Sequence, residues 1–187
     1  QKDVAFAVTT YMEEVRMAVK ANSGIKSIKD LNGKTVATTT GTTSVQTLRK
    51  NERAGGIDFK EVMGKDHADS FLLLESGRAD AFVMDGSILA ANIARSKNPK
   101  DFEIVGEVLS FEPIACMLRK DDPKFEEAIN NSIKRQIADG SLAKLYDRWF
   151  MQPIPPNNVI LNMPASESTK AAWANPNNRP MEDFNKK

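Results

Sequence analysis

Thiols and imidazoles are scarce in this chain of 187 residues. One cysteine, Cys116, excludes a multi-cysteine metal site, and one histidine, His67, leaves too few nitrogen ligands for a zinc centre. A Ser-His-Asp triad could use that histidine, but no G-x-S-x-G elbow is present, which argues against a hydrolase of that kind. Charge of one sign is missing too. Lys and Arg total 26 against 25 Asp and Glu, a formal charge of +1. The charges are interspersed, with no basic run to track a phosphate backbone, so no nucleic-acid partner is expected. Every apolar run breaks well before ~18 residues, so nothing reads as a membrane span. No signal peptide is present, and a mature secreted chain would have lost one. The 41% hydrophobic content is enough for a soluble globular core, in one domain or two small ones.

The most informative stretch is Thr38 to Lys50, TTTGTTSVQTLRK. It follows a strand-like run from Lys34 to Thr38 and opens a helix with Val45 and Leu48 on one buried face. Gly41 permits a sharp turn. Thr43 and Gln46 fit the S/T-x-x-E/Q capping box, which predicts that the helix starts at Thr43. The first helical amides have no partner within the helix and carry its positive dipole end. Together with the hydroxyls of Thr42, Thr43 and Ser44 they are expected to form a neutral cradle for an anion such as a carboxylate. The plainer reading is an ordinary capped connection whose threonines serve only their own backbone.

Around that stretch the chain alternates strand and helix. Gln1 to Tyr11 reads as extended, Val15 to Lys20 as a strand, Asn22-Ser23-Gly24 as a turn and Ile25 to Leu31 as a short helix. Phe59 to Met63 alternates as a strand, and Asp69 or Ser70 is expected to cap the helix that follows, with Gly77 at its end. The apolar run Ala79 to Met84 reads as a buried strand of a parallel sheet, and Ser87 as the cap of the next helix. This order predicts right-handed βαβ units on a parallel sheet, in which ligands sit beyond the carboxyl ends of the strands. Gly41-Thr42-Thr43, His67 and Asp85 all fall at that edge. They supply an anion cradle, a group that donates or accepts, and a carboxylate for an ammonium, the complement of an amino acid's two charged ends. Each alone has a plainer reading, a solvated histidine or an aspartate cap. Strands are also expected over Phe102 to Val108 and Pro113 to Leu118. Asp122-Pro123 opens a helix striped by Phe125, Ile129, Ile133 and Ile137, and Ser141 a second carrying Leu142, Leu145 and Trp149 on a core-facing stripe. Beyond Asn157 the composition predicts a tail draped over the surface, with one short helix near Ala171 to Trp173.

The segments LNGKTVATTTGTTS, KDHADSFLLLESGRADAFVMD, CMLRKDDPKF and DRWFMQPIPP occur in order between Val4 and Pro156. They resemble the later part of polar amino-acid-binding proteins of bacterial ABC uptake systems, closest to the periplasmic glutamate/aspartate-binding branch. The resemblance implies an α/β fold of the periplasmic-binding-protein kind, with two lobes joined by crossing strands and an amino acid in the cleft. Met12 to Glu112 would be one complete lobe; residues 1–11 and 113–187 would form part of the other. By the same resemblance Thr42 and Thr43 hold a ligand carboxylate, Asp85 holds the α-ammonium and His67 contacts an acidic side chain. Family members carry a further segment before the position of Gln1, with half of the other lobe and an arginine clamp for the α-carboxylate. The resemblance also implies an ABC-transporter permease as partner, no cofactor, no catalysis, and a disulfide joining Cys116 to a cysteine in that earlier segment. The chain alone would then associate with itself or with that segment. The same fold also serves receptor sensing domains and dehydratase-like enzymes, which stay as alternatives.

Overall fold

A computed structural model of the chain describes residues 3–185. Two compact units result, one formed by Glu14–Ser110 and the other by the residues on either side of it. Strands β2 (Tyr11–Lys20) and β6 (Phe102–Ile114) have residues in both.

The Glu14–Ser110 unit is organised on a five-stranded sheet in the order β4-β3-β5-β2-β6, where β3 is Thr35–Thr39, β4 is Lys60–Gly64 and β5 is Ala81–Asp85. Strand β3 pairs in parallel with both β4 and β5, whereas β2 runs antiparallel to β5 with Val15 opposite Asp85. The sheet is therefore mixed, not purely parallel. Its alternation is strict in the middle strands because side chains point to opposite faces at successive residues. Val15, Met17, Val19, Val36, Ala81 and Val83 share one core with Ile28, Leu31 and Leu48. Ala18, Ala37, Phe82 and Met84 share the other with Phe71, Leu74 and Leu89. Helix α1 (Thr43–Gly55) covers the first face, and α2 (His67–Glu75) and α3 (Gly86–Arg95) the second. This double cover explains why Ala79 to Met84 reads as a continuous apolar run. The residues predicted as a helix from Ile25 form only a short 3-10 turn, Ile28–Leu31.

The second unit pairs β1 (Val4–Phe6) antiparallel with β7 (Met117–Arg119), under α4 (Pro123–Ala138) and α5 (Ser141–Phe150). The strand pair covers less than the extended reading from Gln1 to Tyr11, whose first two residues lie outside the described residues. Asp122 caps α4 by accepting from the Phe125 amide at 3.1 Å, and Ile133 packs on Ala7, Val8 and Leu118. Gly140, in the left-handed region, is the residue before α5; Ser141 is already its first helical residue.

One expectation fails in this unit. Trp149 and Leu145 are not core: they are 46% and 47% exposed, and the buried face of α5 is carried by Tyr146. The region after Asn157 contains the short helix expected near Ala171 to Trp173, extended at its start and held by specific anchors. Ser166 accepts from the Thr169 amide and starts α6 (Glu167–Ala174), which buries Thr169 and Ala172. The Thr169 hydroxyl accepts from the Met12 amide at 3.1 Å and donates to the Met12 carbonyl at 3.2 Å, and Trp173 Nε1 donates to the Thr10 carbonyl at 2.6 Å. The indole also meets Tyr146 edge-on, within a cluster that stacks Tyr146 on Phe150 at 4.2 Å. Composition does not show these contacts because the anchors are isolated residues in a polar context. Trp173→Ala should therefore destabilise this unit by about 2 to 4 kcal/mol, most of it lost packing. Urea unfolding followed by circular dichroism checks this, and an unchanged midpoint would mean α6 is ornamental.

Candidate functional site

Three parallel strands deliver polar residues to one edge. β3 ends at Thr39 before Thr42 and Thr43, β4 ends at Gly64 before His67, and β5 ends at Asp85. The geometry at each position follows from its local chemistry.

Gly41, at φ 78°, turns the chain back so that the Thr42 hydroxyl donates to the Thr39 carbonyl at 2.8 Å. Thr42, not Thr43, is the N-cap residue of α1, and it makes no side-chain cap bond. The capping box predicted with Gln46 is thus not formed: counted from Thr42, the third helical residue is Val45. Having given its proton to a carbonyl, the Thr42 hydroxyl can only accept from a further group. Ser44 is fully buried, so its hydroxyl is no part of an accessible cradle, contrary to expectation. What the α1 start offers an anion is its first backbone amides and the hydroxyl of exposed Thr43.

His67 lies within α2, as its first residue, and not in the loop before it. Asp66 is the cap and accepts from the Asp69 amide at 2.8 Å, while Asp69 accepts from the Lys65 amide at 3.1 Å. These bonds replace the predicted start at Asp69 or Ser70 and fix the first turn. His67 and Ser70, three residues apart, share one face of α2 and turn towards β3. His67 Nδ1 lies 3.0 Å from Thr39 Oγ1, which lies 2.8 Å from Ser70 Oγ. Gly64 makes this approach possible. A Cβ there would collide with Ser70 Oγ and with the Ser70 backbone. Thr39 and Ser70 escaped the sequence reading; the signals available were a threonine ending a buried strand and a serine at i+3 from the histidine.

Asp85 is the N-cap residue of α3 in place of the expected Ser87, yet its side chain makes no capping bond. Cys116 is exposed and unpaired, and with one cysteine in the sequence this chain forms no disulfide within itself. Among the described residues, no group of three or more His, Cys, Asp or Glu is placed to hold a metal ion, and no helix is long and apolar enough to cross a membrane.

A mixed sheet covered on both faces, with a helix start, an imidazole and a carboxylate at one strand edge, defines a unit of the α/β class. Residues 1–152 match the bacterial extracellular solute-binding proteins, family 3, and the chain belongs to that family. It is 41% identical over 179 residues to a glutamate/aspartate import solute-binding protein of Salmonella typhimurium, covering 96% of this chain and 59% of that one. An L-glutamate/L-aspartate-binding protein of Pseudomonas aeruginosa is 40% identical over 184 residues, 98% of this chain and 61% of its own. The chain thus spans about three fifths of the length of these relatives. The crystal structure of a probable amino-acid ABC transporter extracellular-binding protein from Bacillus subtilis superposes with a TM-score of 0.71 at 26% identity, over 79% of this chain and 64% of that one.

Because Gly64 sits against backbone, not a flexible side-chain tip, Gly64→Ala should push β4 and α2 apart and destabilise the unit by about 1 to 3 kcal/mol. Chemical unfolding measures this. A neutral substitution would show that the close approach of Ser70 is not required.

Proposed function

We propose that the full-length protein is a periplasmic solute-binding protein that captures an acidic amino acid, glutamate or aspartate, and presents it to the membrane permease of an ABC transporter. The observation that carries this reading is the arrival of Thr42 and Thr43, His67 and Asp85 at the carboxyl ends of adjacent parallel strands in one unit. The names of the relatives support the ligand class. The α1 amides and Thr43 bind a carboxylate, Asp85 binds the α-ammonium and His67 meets the acidic side chain. Nothing in this scheme makes or breaks a covalent bond, so it needs no cofactor. The Glu14–Ser110 unit serves as one binding lobe and the residues around it as part of the other. In the full-length protein Cys116 pairs with a cysteine outside this chain.

Calorimetric titration of the full-length protein should show binding of glutamate or aspartate. Asp85→Asn should remove about 2 to 5 kcal/mol of it, since the variant keeps the shape but removes a desolvated counter-charge. His67→Ala should weaken glutamate more than glutamine. Undiminished affinity in Asp85→Asn would dismiss its role, and a protein that takes arginine in preference to glutamate would dismiss the acidic reading.

The chain alone also presents Phe125, Leu145 and Trp149 at nearly half exposure on α4 and α5. Covering such a side chain fully contributes roughly 1.5 to 3 kcal/mol. The isolated chain is accordingly expected to associate through these helices, with itself or with the further segment the family carries. Light scattering should give a mass that rises with concentration, and Leu145→Asp with Trp149→Asp should return it to that of one chain. A monomeric parent chain at all concentrations would contradict this.

A further inference from the structure

The contacts around Thr39 determine where the proton of neutral His67 sits. Ser70 Oγ lies 3.0 Å from the Thr38 carbonyl and 2.9 Å from the Asp66 carbonyl, and neither oxygen can donate. Oxygen pairs at such distances are favourable only with a proton between them, so the Ser70 proton is directed to these carbonyls, shared or alternating. Ser70 Oγ then has lone pairs only for Thr39 Oγ1, 2.8 Å away, and the proton in that contact must come from Thr39. Thr39 Oγ1 is left as an acceptor for His67 Nδ1, 3.0 Å away. The reverse order, from Ser70 through Thr39 to the ring, leaves both carbonyl contacts of Ser70 without a proton. Thr39 is 4% exposed and Ser70 is fully buried, so water does not compensate such a loss.

We propose that Thr39 and Ser70 are positioning residues that fix neutral His67 as its Nδ1–H tautomer, leaving Nε2 as the ring atom that meets a ligand. An Nε2 held in this way accepts from a ligand N–H or O–H while the ring is neutral, and donates only once the ring is charged. This rests on the reading of His67 as a ligand-contacting residue. On that reading, an acidic side chain is met by the imidazolium and an amide by the neutral ring. β3 carries no titratable group; β4 carries Lys60 and Glu61, the latter bound to Arg49 at 2.9 Å; β5 ends in Asp85; and α3 carries Arg95 in its last turn. On and before α2 stand Lys65, Asp66, Asp69 and Glu75, and the carboxylates of Asp66 and Asp69 accept from backbone amides.

One histidine in the sequence makes the test direct. Nitrogen-15 spectra of the imidazole in the untagged chain, taken above the pH at which the ring loses its charge, distinguish the tautomers. The expected spectrum is that of Nδ1–H. Thr39→Val should lower the Nδ1–H to Nε2–H ratio by about tenfold, the effect of one hydrogen bond of ordinary strength, and Thr39→Ser should restore it. An Nε2–H ring in the parent chain, or the same ratio in Thr39→Val, would overturn the assignment. The parent spectrum decides on its own should Thr39→Val fail to fold. No ligand is involved, so a failure here leaves the amino-acid-binding reading to its own calorimetric test.

Discussion

Strand β3 is the constraint on which the rest of the Glu14–Ser110 unit depends. It is hydrogen-bonded in parallel on both sides and covered on both faces, with Val36 facing one core and Ala37 the other. A strand enclosed in this way has no room to slip, because a shift of one residue would send Val36 and Thr38 to the wrong faces. Parallel pairing with β4 and β5 then forces all three carboxyl ends to the same side. The clustering of Thr42, His67 and Asp85 therefore follows from strand direction, before any side chain has chosen a rotamer.

Direction alone does not place a side chain, and here helix starts contribute. Each of the three strands passes into a helix within a few residues, so each polar residue lies at a helix N-terminus where backbone amides lack partners. Those amides favour negative charge. At α2 Asp66 takes up the Asp69 amide, whereas the first turns of α1 and α3 contain no acidic residue.

The alternation of strand and helix and the buried face of α4 were legible because burial writes period two and period 3.6 into the sequence: Ala79 to Met84 for β5, Ile129 and Ile133 for α4. Cap positions were legible only to within one to four residues. Thr43 with Gln46 satisfies the capping-box pattern, yet Thr42 occupies the cap, since the turn at Gly41 directs its hydroxyl to Thr39 first. Leu145 and Trp149 show another limit. An apolar stripe states that a face is suited to being covered, and the sequence does not say what covers it. Tyr146, which has a polar end, turned out to be the buried residue because Tyr11, Phe150 and Trp173 surround it.

The hydroxyls were the least legible part, for a reason that bears on function. Thr39 and Ser70 are small, polar and common, and a threonine ending a strand or a serine at i+3 from a histidine is too ordinary to mark a buried pair. A buried hydroxyl left without a partner costs about 1 to 3 kcal/mol, so a pair is tolerated only if each proton has an acceptor. Two hydroxyl protons, two backbone carbonyls and one ring nitrogen satisfy that condition in a single direction, running from the ring inwards to the backbone. The backbone end of the chain cannot reverse, because carbonyls only accept. The fold thereby imposes on His67 a preference that originates two residues away in the chain of contacts, and the ring carries that preference to the edge where Thr43 and Asp85 also stand.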